Sequence, residues 1–271
     1  MTSAVVIVNW NGAADTLECL ASLAPASGAD GDLRFIVVDN GSTDDSVFRL
    51  FDGMARLGLR PRKGPAFVPG EDARALLVEA GENLGFAAGS NLGLRIAAAA
   101  GMAVTVFLNN DTIVEPGALR RMIDRLMHDP QWFATLPMIL VHGTDHIWNC
   151  GGVIHPIGLR RYHLAGRPRA EGEQQGEMAC SFFTGCCFAV RTHDFIAREG
   201  FSERFFFGEE DFELALWMRA RGLRALCLTG AVVHHKVSAA FSQAAGPRAE
   251  SKVFLYYLNR FINMRLRLGW R

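Results

Sequence analysis

Two amides and a carboxylate directly follow a short apolar run near the middle of the sequence. Val104–Leu108 has the length and β-branched content of a buried strand, and Asn109-Asn110-Asp111 come next. Polar groups just beyond the carboxyl end of a buried strand lie where open α/β sheets bind ligands. A carboxylate there can hold a hard divalent cation, which can hold phosphate groups. The alternative, on these residues alone, is an Asx turn that caps the next helix.

Three further polar clusters lie at the predicted ends of elements. Asp39 follows the apolar run Phe35–Val38, Glu209-Glu210-Asp211 open a predicted helix, and His234-His235 end a predicted strand. Each has an ordinary explanation, as a turn residue, as acids that complement a helix dipole, or as a hydrogen-bonded histidine. Together with Asp111 they supply the oxygen and imidazole groups that a metal-bound phosphate substrate requires.

The first half of the chain alternates strands with helices, which is typical of a parallel sheet with crossover helices. The apolar runs predict strands at 4–9, 35–38, 75–78 and 104–108, and helical spacing predicts helices at 13–24, 86–100 and 117–128. All the polar strand ends then share one edge of the sheet. Residues 60–73, rich in proline, glycine and charge, predict a loop.

The second half is less regular. Residues 132–141 predict a strand, 142–178 are rich in glycine, basic residues and histidine, and 178–191 predict one long buried strand broken at Gly185. Two short strands, 224–228 and 231–235, follow a helix that begins at the acidic cluster. A last helix, from about 250 to 268, carries aromatic and basic residues. The whole pattern indicates an α/β protein.

The composition limits the class of protein. The 28 basic and 28 acidic residues cancel, so a nucleic acid is not the expected partner. No apolar run approaches the roughly 20 residues of a membrane span, and the N-terminus lacks the features of a signal peptide. The six cysteines include no C-x-x-C pair and lie mostly in apolar runs. They predict reduced, buried thiols in a cytoplasmic protein.

Several stretches, in this order, resemble the family 2 inverting glycosyltransferases of the GT-A fold, and most closely a rhamnosyltransferase-like branch. The matching stretches are Val5–Gly12, Val37–Asp44, Asn83–Gly93, Phe107–Asp111, Thr184-Gly185, Glu210-Asp211, His235–Ser238 and Tyr256–Arg260. The resemblance implies one GT-A domain over residues 1–271, with a Rossmann-like, mostly parallel central sheet and a smaller mixed sheet on the acceptor side. Residues 1–115 would bind the nucleotide sugar, 116–248 would form the acceptor half, and 249–271 would be an amphipathic helix.

The resemblance also implies a role for each matched residue. Asn9 and Asp39 would hold the nucleotide base, since a carboxylate can accept the N3–H of uracil or thymine. Asp111 would bind a divalent cation, Mn²⁺ or Mg²⁺, and His235 would add a ligand or a phosphate contact. Asn109 stands where the family motif has its first aspartate. The remaining residues that would line the nucleotide-sugar site are Asn83, Gly85, Asn91, Asn109, Asn110, Thr184, Gly185 and Glu210.

The implied reaction is an in-line displacement that inverts the anomeric carbon. Asp211 would act as the general base for the acceptor hydroxyl, with Glu210 as the alternative base, and the metal would stabilise the leaving diphosphate. The donor expected from the branch is dTDP-rhamnose, while UDP and GDP sugars stay open. The acceptor would be a glycan or a lipid-linked sugar in cell-surface polysaccharide synthesis.

Two alternatives accompany this expectation. The loss of the first motif aspartate leaves open a non-catalytic protein of the same fold that binds sugar nucleotides or acts as a scaffold. A sugar-nucleotide pyrophosphorylase fits poorly, because Asn9–Ala13 offer no basic residue for a triphosphate. The last helix either packs on the fold or makes peripheral contact with the inner face of the membrane. The sequence does not predict an oligomeric state.

Overall fold

One large sheet forms the centre of the protein. The computed structural model describes residues 2–23, 33–155, 158–206, 208–237 and 257–266. Among them, eleven strands form a sheet whose main path has the order β11-β13-β7-β12-β5-β1-β2-β4-β3, with β6 added to β13 and β8 to β7. Strands β9 and β10 form a separate antiparallel pair. The predicted α/β class, with a mostly parallel sheet and a smaller second sheet, is confirmed.

The first half contains alternating strands and helices. The elements are β1 (Ser3–Asn9), α1 (Ala13–Leu23), β2 (Leu33–Asp39), α2 (Ser46–Arg56), β3 (Pro61–Lys63), β4 (Ala75–Glu79), α3 (Gly85–Ala99), β5 (Val104–Leu108), β6 (Thr112–Val114) and α4 (Ala118–His128). Strands β1, β2, β4 and β5 are mutually parallel along the path, so their carboxyl ends share one edge.

The second half extends the same sheet with both antiparallel and parallel strands, since β13 is parallel to β7. The elements are β7 (Trp132–Val141), β8 (Ile147–Asn149), β9 (Gly152–Ile154), β10 (Arg160–Tyr162), α5 (Arg169–Glu173), β11 (Glu177–Cys180), β12 (Cys187–Arg191), α6 (Thr192–Ala197), α7 (Glu210–Ala220) and β13 (Arg224–His235). Residues 257–266 form a further helix. β12 is antiparallel to both β5 and β7, and β6 is antiparallel to β13.

The central strands are buried on both faces, which explains why they read as continuous apolar runs. In β1, Val5 and Ile7 belong to the core on one side of the sheet, whereas Ala4 and Val6 belong to the core on the other. This alternation follows from the two-residue period of a strand. Phe107 of β5 stacks on Phe188 of β12, with ring centroids 5.0 Å apart. The site described below therefore stands on rigid strands.

Several predicted elements differ from those observed. Residues 178–191 are not one strand, because β11 pairs with β13 at the sheet edge while β12 lies between β7 and β5. Residues 181–186 cross between these positions, and backbone bonds between Gly152 and Phe182 hold the crossing against β9. Conversely, the strands predicted at 224–228 and 231–235 are one strand with an irregularity between Leu228 and Val232.

Smaller corrections have simple causes. The predicted loop 60–73 contains the short edge strand β3, where Pro61 is tolerated because it begins a strand at the margin of the sheet. The strand β6 follows Asp111 directly, where the sequence suggested a turn leading to a helix. The ends of the predicted last helix, 250–256 and 267–268, lie outside the described residues.

The cysteines agree with the expectation from composition that they are reduced and buried. All six cysteines are buried and free of disulfides. Burial raises the pKa of the Cys19 and Cys180 thiols to about 12. Within the part of the chain that the structure describes, no helix combines the length and apolar character needed to cross a membrane.

Candidate functional site

Asn9 and Asp39 end the neighbouring strands β1 and β2 and face each other in register. Asn9 Nδ2 donates to Asp39 Oδ2 at 2.9 Å, and Ser42 Oγ donates to the same oxygen at 2.6 Å. The Ser42 amide donates to Asp39 Oδ1 at 3.0 Å. Asp39 is almost completely buried. Its carboxylate is therefore fixed by three donors at the edge of the sheet.

Asn110 extends this network to the end of β5. Asn110 Nδ2 donates to Thr16 Oγ1 at 3.2 Å, and Thr16 Oγ1 donates to Asn9 Oδ1 at 2.8 Å. A Cβ at Gly12 would lie 2.8 Å from Asn110 Nδ2, so a larger residue there would displace the Asn110 amide from this position. The structure thus brings Asn9, Asp39 and Asn110 into one hydrogen-bonded group.

Asn83 and Gly85 lie at the start of α3, beside the end of β2. Asn40 Nδ2 donates to Asn83 Oδ1 and to the Gly85 carbonyl, both at 3.1 Å. The Gly85 amide donates to Asn83 Oδ1 at 2.9 Å. Gly85 has φ +80°, and a Cβ there would collide with the carbonyl oxygen of Phe206. The amino end of α3 is therefore closely packed against the segment that leads to the acidic cluster.

Asn91 lies six residues beyond Gly85 in α3, and its side-chain amide forms hydrogen bonds with other residues of the protein. Asn91 Nδ2 donates to the Phe201 carbonyl at 2.8 Å and to Glu203 Oε1 at 2.9 Å, while the Phe201 amide donates to Asn91 Oδ1 at 2.8 Å. Asn91 is 2% exposed. Its predicted contact with the donor stays a prediction, and what the structure places around it is the loop 200–203.

Asp111 and His235 form a buried pair at the ends of β5 and β13. His235 Nε2 lies 3.1 Å from Asp111 Oδ1, and both residues are 8% exposed. The pairing of β6 with β13 sets this contact, since it aligns Thr112 with His235. The ring of Trp148 meets the imidazole edge-on at 4.7 Å between centroids. His235 Nδ1 is buried and finds no hydrogen-bond partner among the described residues.

This pair fits a divalent cation as part of its shell. A carboxylate oxygen beside an imidazole nitrogen is a donor set that suits Mn²⁺. Among the described residues, no group of three or more histidine, cysteine, aspartate or glutamate side chains is arranged to hold a metal. Asp111 and His235 would therefore hold an ion only together with oxygens from a substrate or water.

The acidic cluster lies at the start of α7, where Glu209 precedes the helix and Glu210 and Asp211 form its first turn. Burial raises the pKa of the Glu210 carboxyl, and the neighbouring acid Asp211 raises it further. Burial also raises the pKa of Asp211, although Arg160, 3.9 Å from its carboxylate, opposes this. Asp211 keeps 18% of its side chain exposed, whereas Glu210 Oε2 is buried and has no described partner.

The segment 184–186 lies between the Asn109–Asp111 motif and the acidic cluster at the start of α7. The Asn109 amide donates to the Cys186 carbonyl at 2.8 Å, so the segment touches the end of β5. A Cβ on Gly185 would lie 3.9 Å from Glu210 Oε1 and 3.3 Å from the ring of Phe86. Thr184 Oγ1 is buried and unpaired within the described structure. One short segment therefore has the Asn109–Asp111 motif on one side and the start of α7 on the other.

Sequence reasoning missed the basic residues that surround the acidic cluster. Arg160 of β10 lies 3.4 Å from Glu209 Oε1, and Arg260 of the helix 257–266 binds both Glu209 oxygens, at 2.6 and 2.8 Å. Arg260 belongs to a stretch that resembles the family, which was the available signal, but no role followed from it. For Arg160, in the poorly patterned region 142–178, the sequence carries no such signal.

Comparison with known families decides the class of protein. The sequence model of glycosyl transferase family 2 matches residues 4–197, well over half of the chain. The chain belongs to glycosyltransferase family 2. This membership covers β1 through α6 and so includes the strand ends that carry Asn9, Asp39 and Asp111. No curated protein sequence matches this glycosyltransferase significantly.

Solved structures with the same fold support this class. The crystal structure of GalNAc-T7 with UDP, GalNAc and Mn²⁺ matches with a TM-score of 0.64 and 16% identity, over 87% of this chain and 44% of that one. The structure of S. aureus TarS matches with a TM-score of 0.58 and 13% identity, over 98% of this chain and 73% of that one. This glycosyltransferase thus spans less than half of the GalNAc-T7 chain. The expected GT-A fold is confirmed.

Proposed function

We propose that this glycosyltransferase moves a sugar from a nucleoside diphosphate sugar to an acceptor hydroxyl with inversion, and that Asp211 is the general base. The observation that carries the proposal is the position of residues 184–186 between two groups. On one side stand Asn109–Asp111 with His235, and on the other stand Glu210 and Asp211. A donor with its diphosphate at the first group has its sugar directed towards the second.

The proposed nucleotide site is the edge formed by β1, β2 and α3. Asp39, fixed by Asn9 and Ser42, would accept the N3–H of a uracil or thymine base. Asn83 and Gly85 at the start of α3 would line the same pocket, because Asn40, the residue after Asp39, donates to both of them. In this proposal residues 1–115 form the nucleotide-sugar half, 116–248 the acceptor half, and 249–271 the terminal helix.

We assign the diphosphate to the end of β5. Asn109 and Asn110 would offer amide donors, and Asp111 with His235 would hold Mn²⁺ or Mg²⁺. An ion bound there would stabilise the negative charge that develops on the leaving diphosphate. The structurally similar GalNAc-T7 was crystallised with Mn²⁺, which supports a divalent cation for this protein as well.

Asp211 is the better candidate for the base than Glu210. The acceptor oxygen forms its bond to the anomeric carbon, the bond from that carbon to the diphosphate oxygen breaks, and the hydroxyl proton passes to Asp211. A base must be ionised and reachable, and Asp211 is partly exposed and stands near the Arg160 cation. Glu210 is more deeply buried, and its raised pKa favours the protonated form, which suits a hydrogen bond to a sugar hydroxyl.

The donor and acceptor are proposed from the family branch that the sequence resembles. dTDP-rhamnose is the favoured donor, with UDP and GDP sugars as alternatives, and a glycan or lipid-linked sugar of the cell surface is the proposed acceptor. Peripheral membrane contact through the helix 257–266 belongs to this proposal. Its support is a set of exposed apolar side chains, Tyr257, Leu258, Phe261 and Leu266.

Three measurements test the function. In a thermal-shift screen of dTDP, UDP and GDP sugars with and without Mn²⁺, we expect metal-dependent stabilisation by one nucleotide class. Asp111→Ala should abolish that stabilisation. Asp211→Asn should keep it while transfer falls on the order of a hundredfold or more, which is the contribution of a positioned base.

The alternative function, a non-catalytic protein that binds sugar nucleotides, predicts a different result. It requires that the wild type binds a nucleotide sugar but neither transfers nor hydrolyses any sugar in the screen. Unchanged transfer by Asp211→Asn would contradict the base assignment, and metal-dependent stabilisation that Asp111→Ala retains would contradict the metal assignment.

A further inference from the structure

Glu209, immediately before α7, has an unfavourable backbone conformation and a buried carboxylate. Its backbone has φ +73°, a conformation that residues other than glycine and asparagine rarely adopt, and its side chain is completely buried. An isolated buried carboxylate is strongly unfavourable, so it must be paired. Strained and buried residues of this kind persist where the surrounding structure holds them, and they concentrate at functional sites.

The charge of Glu209 is neutralised from two separate elements. Arg260 of the helix 257–266 forms a fork with both carboxylate oxygens, at 2.6 and 2.8 Å. Arg160 of β10 reaches Glu209 Oε1 at 3.4 Å. Both guanidinium groups also lie over the ring of Phe212, at 5.3 Å for Arg160 and 4.5 Å for Arg260. Glu209 therefore joins the small sheet and the terminal helix to the start of α7.

The terminal helix also binds the backbone of the same turn. Asn263 Nδ2 donates to the Glu209 carbonyl at 3.1 Å, and Asn259 Nδ2 donates to the Gly208 carbonyl at 3.4 Å. Asn259, Arg260 and Asn263 share one face of the helix, because residues three and four apart lie together. In these contacts, the face that this helix turns to the protein is polar and binds the turn 208–209.

Arg160 is shared between Glu209 and the proposed base. Its Nη1 lies 3.9 Å from Asp211 Oδ1, which is beyond the range of a hydrogen bond. Asp211 consequently experiences the positive charge without being tied to the guanidinium by a close bond. A carboxylate in a bidentate pair with arginine is a weaker proton acceptor, so this separation favours a general base.

We propose that Glu209 is a positioning residue that holds Arg160 away from Asp211, and that Arg260 supports it by anchoring Glu209 to the terminal helix. The inference rests on the proposed role of Asp211. Without Glu209, Arg160 loses one of its partners and can close on Asp211 and pair with it. Without Arg260, Glu209 draws Arg160 towards itself, and Asp211 loses positive charge from both arginines.

The two changes therefore move the pH profile in opposite directions. The charged groups around Asp211 in the described residues are Arg160 of β10, Arg260 of the terminal helix, and Glu209 and Glu210 of the α7 start. Glu209→Gln removes an anion, which lowers the pKa of Asp211. The acid limb of the pH profile, where activity falls because Asp211 becomes protonated, then moves to lower pH. Arg260→Gln removes a cation, which raises that pKa and moves the limb to higher pH.

The experiment measures release of nucleoside diphosphate against pH, with Mn²⁺ and whichever of dTDP-rhamnose, UDP-glucose or GDP-mannose is turned over fastest. We expect Glu209→Gln and Arg260→Gln to lower kcat with donor KM within about twofold. Their acid limbs should separate by about one pH unit, a tenfold difference in rate at low pH. Arg260→Lys should restore the wild-type limb, and Arg265→Gln, on the exposed side of the same helix, should change nothing.

Limbs that coincide, or that move in the same direction, in folded variants would overturn the inference. If Glu209→Gln does not fold, the comparison of Arg260→Gln with Arg260→Lys decides, because only loss of charge should move the limb. Asp211→Asn separates this result from the proposed function. If Asp211→Asn is inactive and the limbs coincide, only the positioning role fails; if Asp211→Asn is active, the base assignment fails.

Discussion

Replacing Asn91 by alanine should damage stability far more than it damages donor binding. The Asn91 amide is the partner of both the amide and the carbonyl of Phe201, and Phe201 is 2% exposed. Alanine leaves these two backbone groups buried without partners, at about 1–3 kcal/mol for each. Glu203 also loses its bond from Asn91 Nδ2, but it is nearer the surface and can bind water.

Some water will enter the space left by the amide, so we expect a loss near the lower half of that range, about 3 kcal/mol in total. For a chain of this size the melting temperature should fall by about 6–12 °C. Urea unfolding gives the free energy, and nucleotide titration with Mn²⁺ gives the affinity. Arg95→Ala is the matched control, because Arg95 contacts the same Glu203 at 3.4 Å from an exposed position. Its effect should stay within about 0.5 kcal/mol.

The opposite pattern would refute this reasoning. A variant with wild-type stability and a nucleotide affinity at least tenfold weaker would mean that Asn91 contacts the donor. The prediction from sequence would then be correct, and the bonds to the loop 200–203 would contribute little. Equal losses in the free energy of unfolding and in the free energy of nucleotide binding would also contradict a purely structural role.

Three further outcomes are expected. Gly85→Ala should weaken nucleotide binding at least tenfold, because the new Cβ would collide with the Phe206 carbonyl and displace the start of α3. Gly101→Ala is the control: it has φ +68° and no atom within 4 Å of the new Cβ, so it should cost only about 1 kcal/mol of stability. All six cysteines should resist a thiol reagent in the native enzyme and react after unfolding, since they are buried; rapid labelling of any native thiol would contradict this. Transfer should fall with decreasing pH along a limb above the pKa of an ordinary aspartate, because burial raises the pKa of Asp211, and a limb near pH 4 would contradict the assignment.

The strands of the first half could be predicted because each is a buried apolar run bounded by polar residues. The bounds of β5 and β7 agree with the sequence prediction. The crossing at 181–186 could not be predicted, since the run from Cys180 to Phe188 is mostly apolar and its backbone partner is Gly152, far away in sequence. Apolar character reports burial, and it does not report which strand is the neighbour.

The site shows the same division. The meeting of Asn9 with Asp39 follows from parallel strands whose carboxyl ends share an edge, so residue type and position were sufficient. The pairing of Glu209 with Arg160 and Arg260 depends on a hairpin and a helix that reach the α7 start from distant parts of the chain. No local spacing encodes such a contact, and a buried glutamate looks the same in sequence as a solvated one.

The pairing of β13 with β6 has a consequence for the order of folding. Strands β1, β2, β4 and β5 are close in sequence, whereas His234 and its partner Glu115 are 119 residues apart. Long-range closure carries a large entropic cost, and a growing chain forms its early contacts first. The nucleotide edge should therefore assemble while synthesis continues. Asp111 meets His235 only once β13 has been made, so a nascent chain should form the contact between Asn9 and Asp39 before the pair of Asp111 and His235.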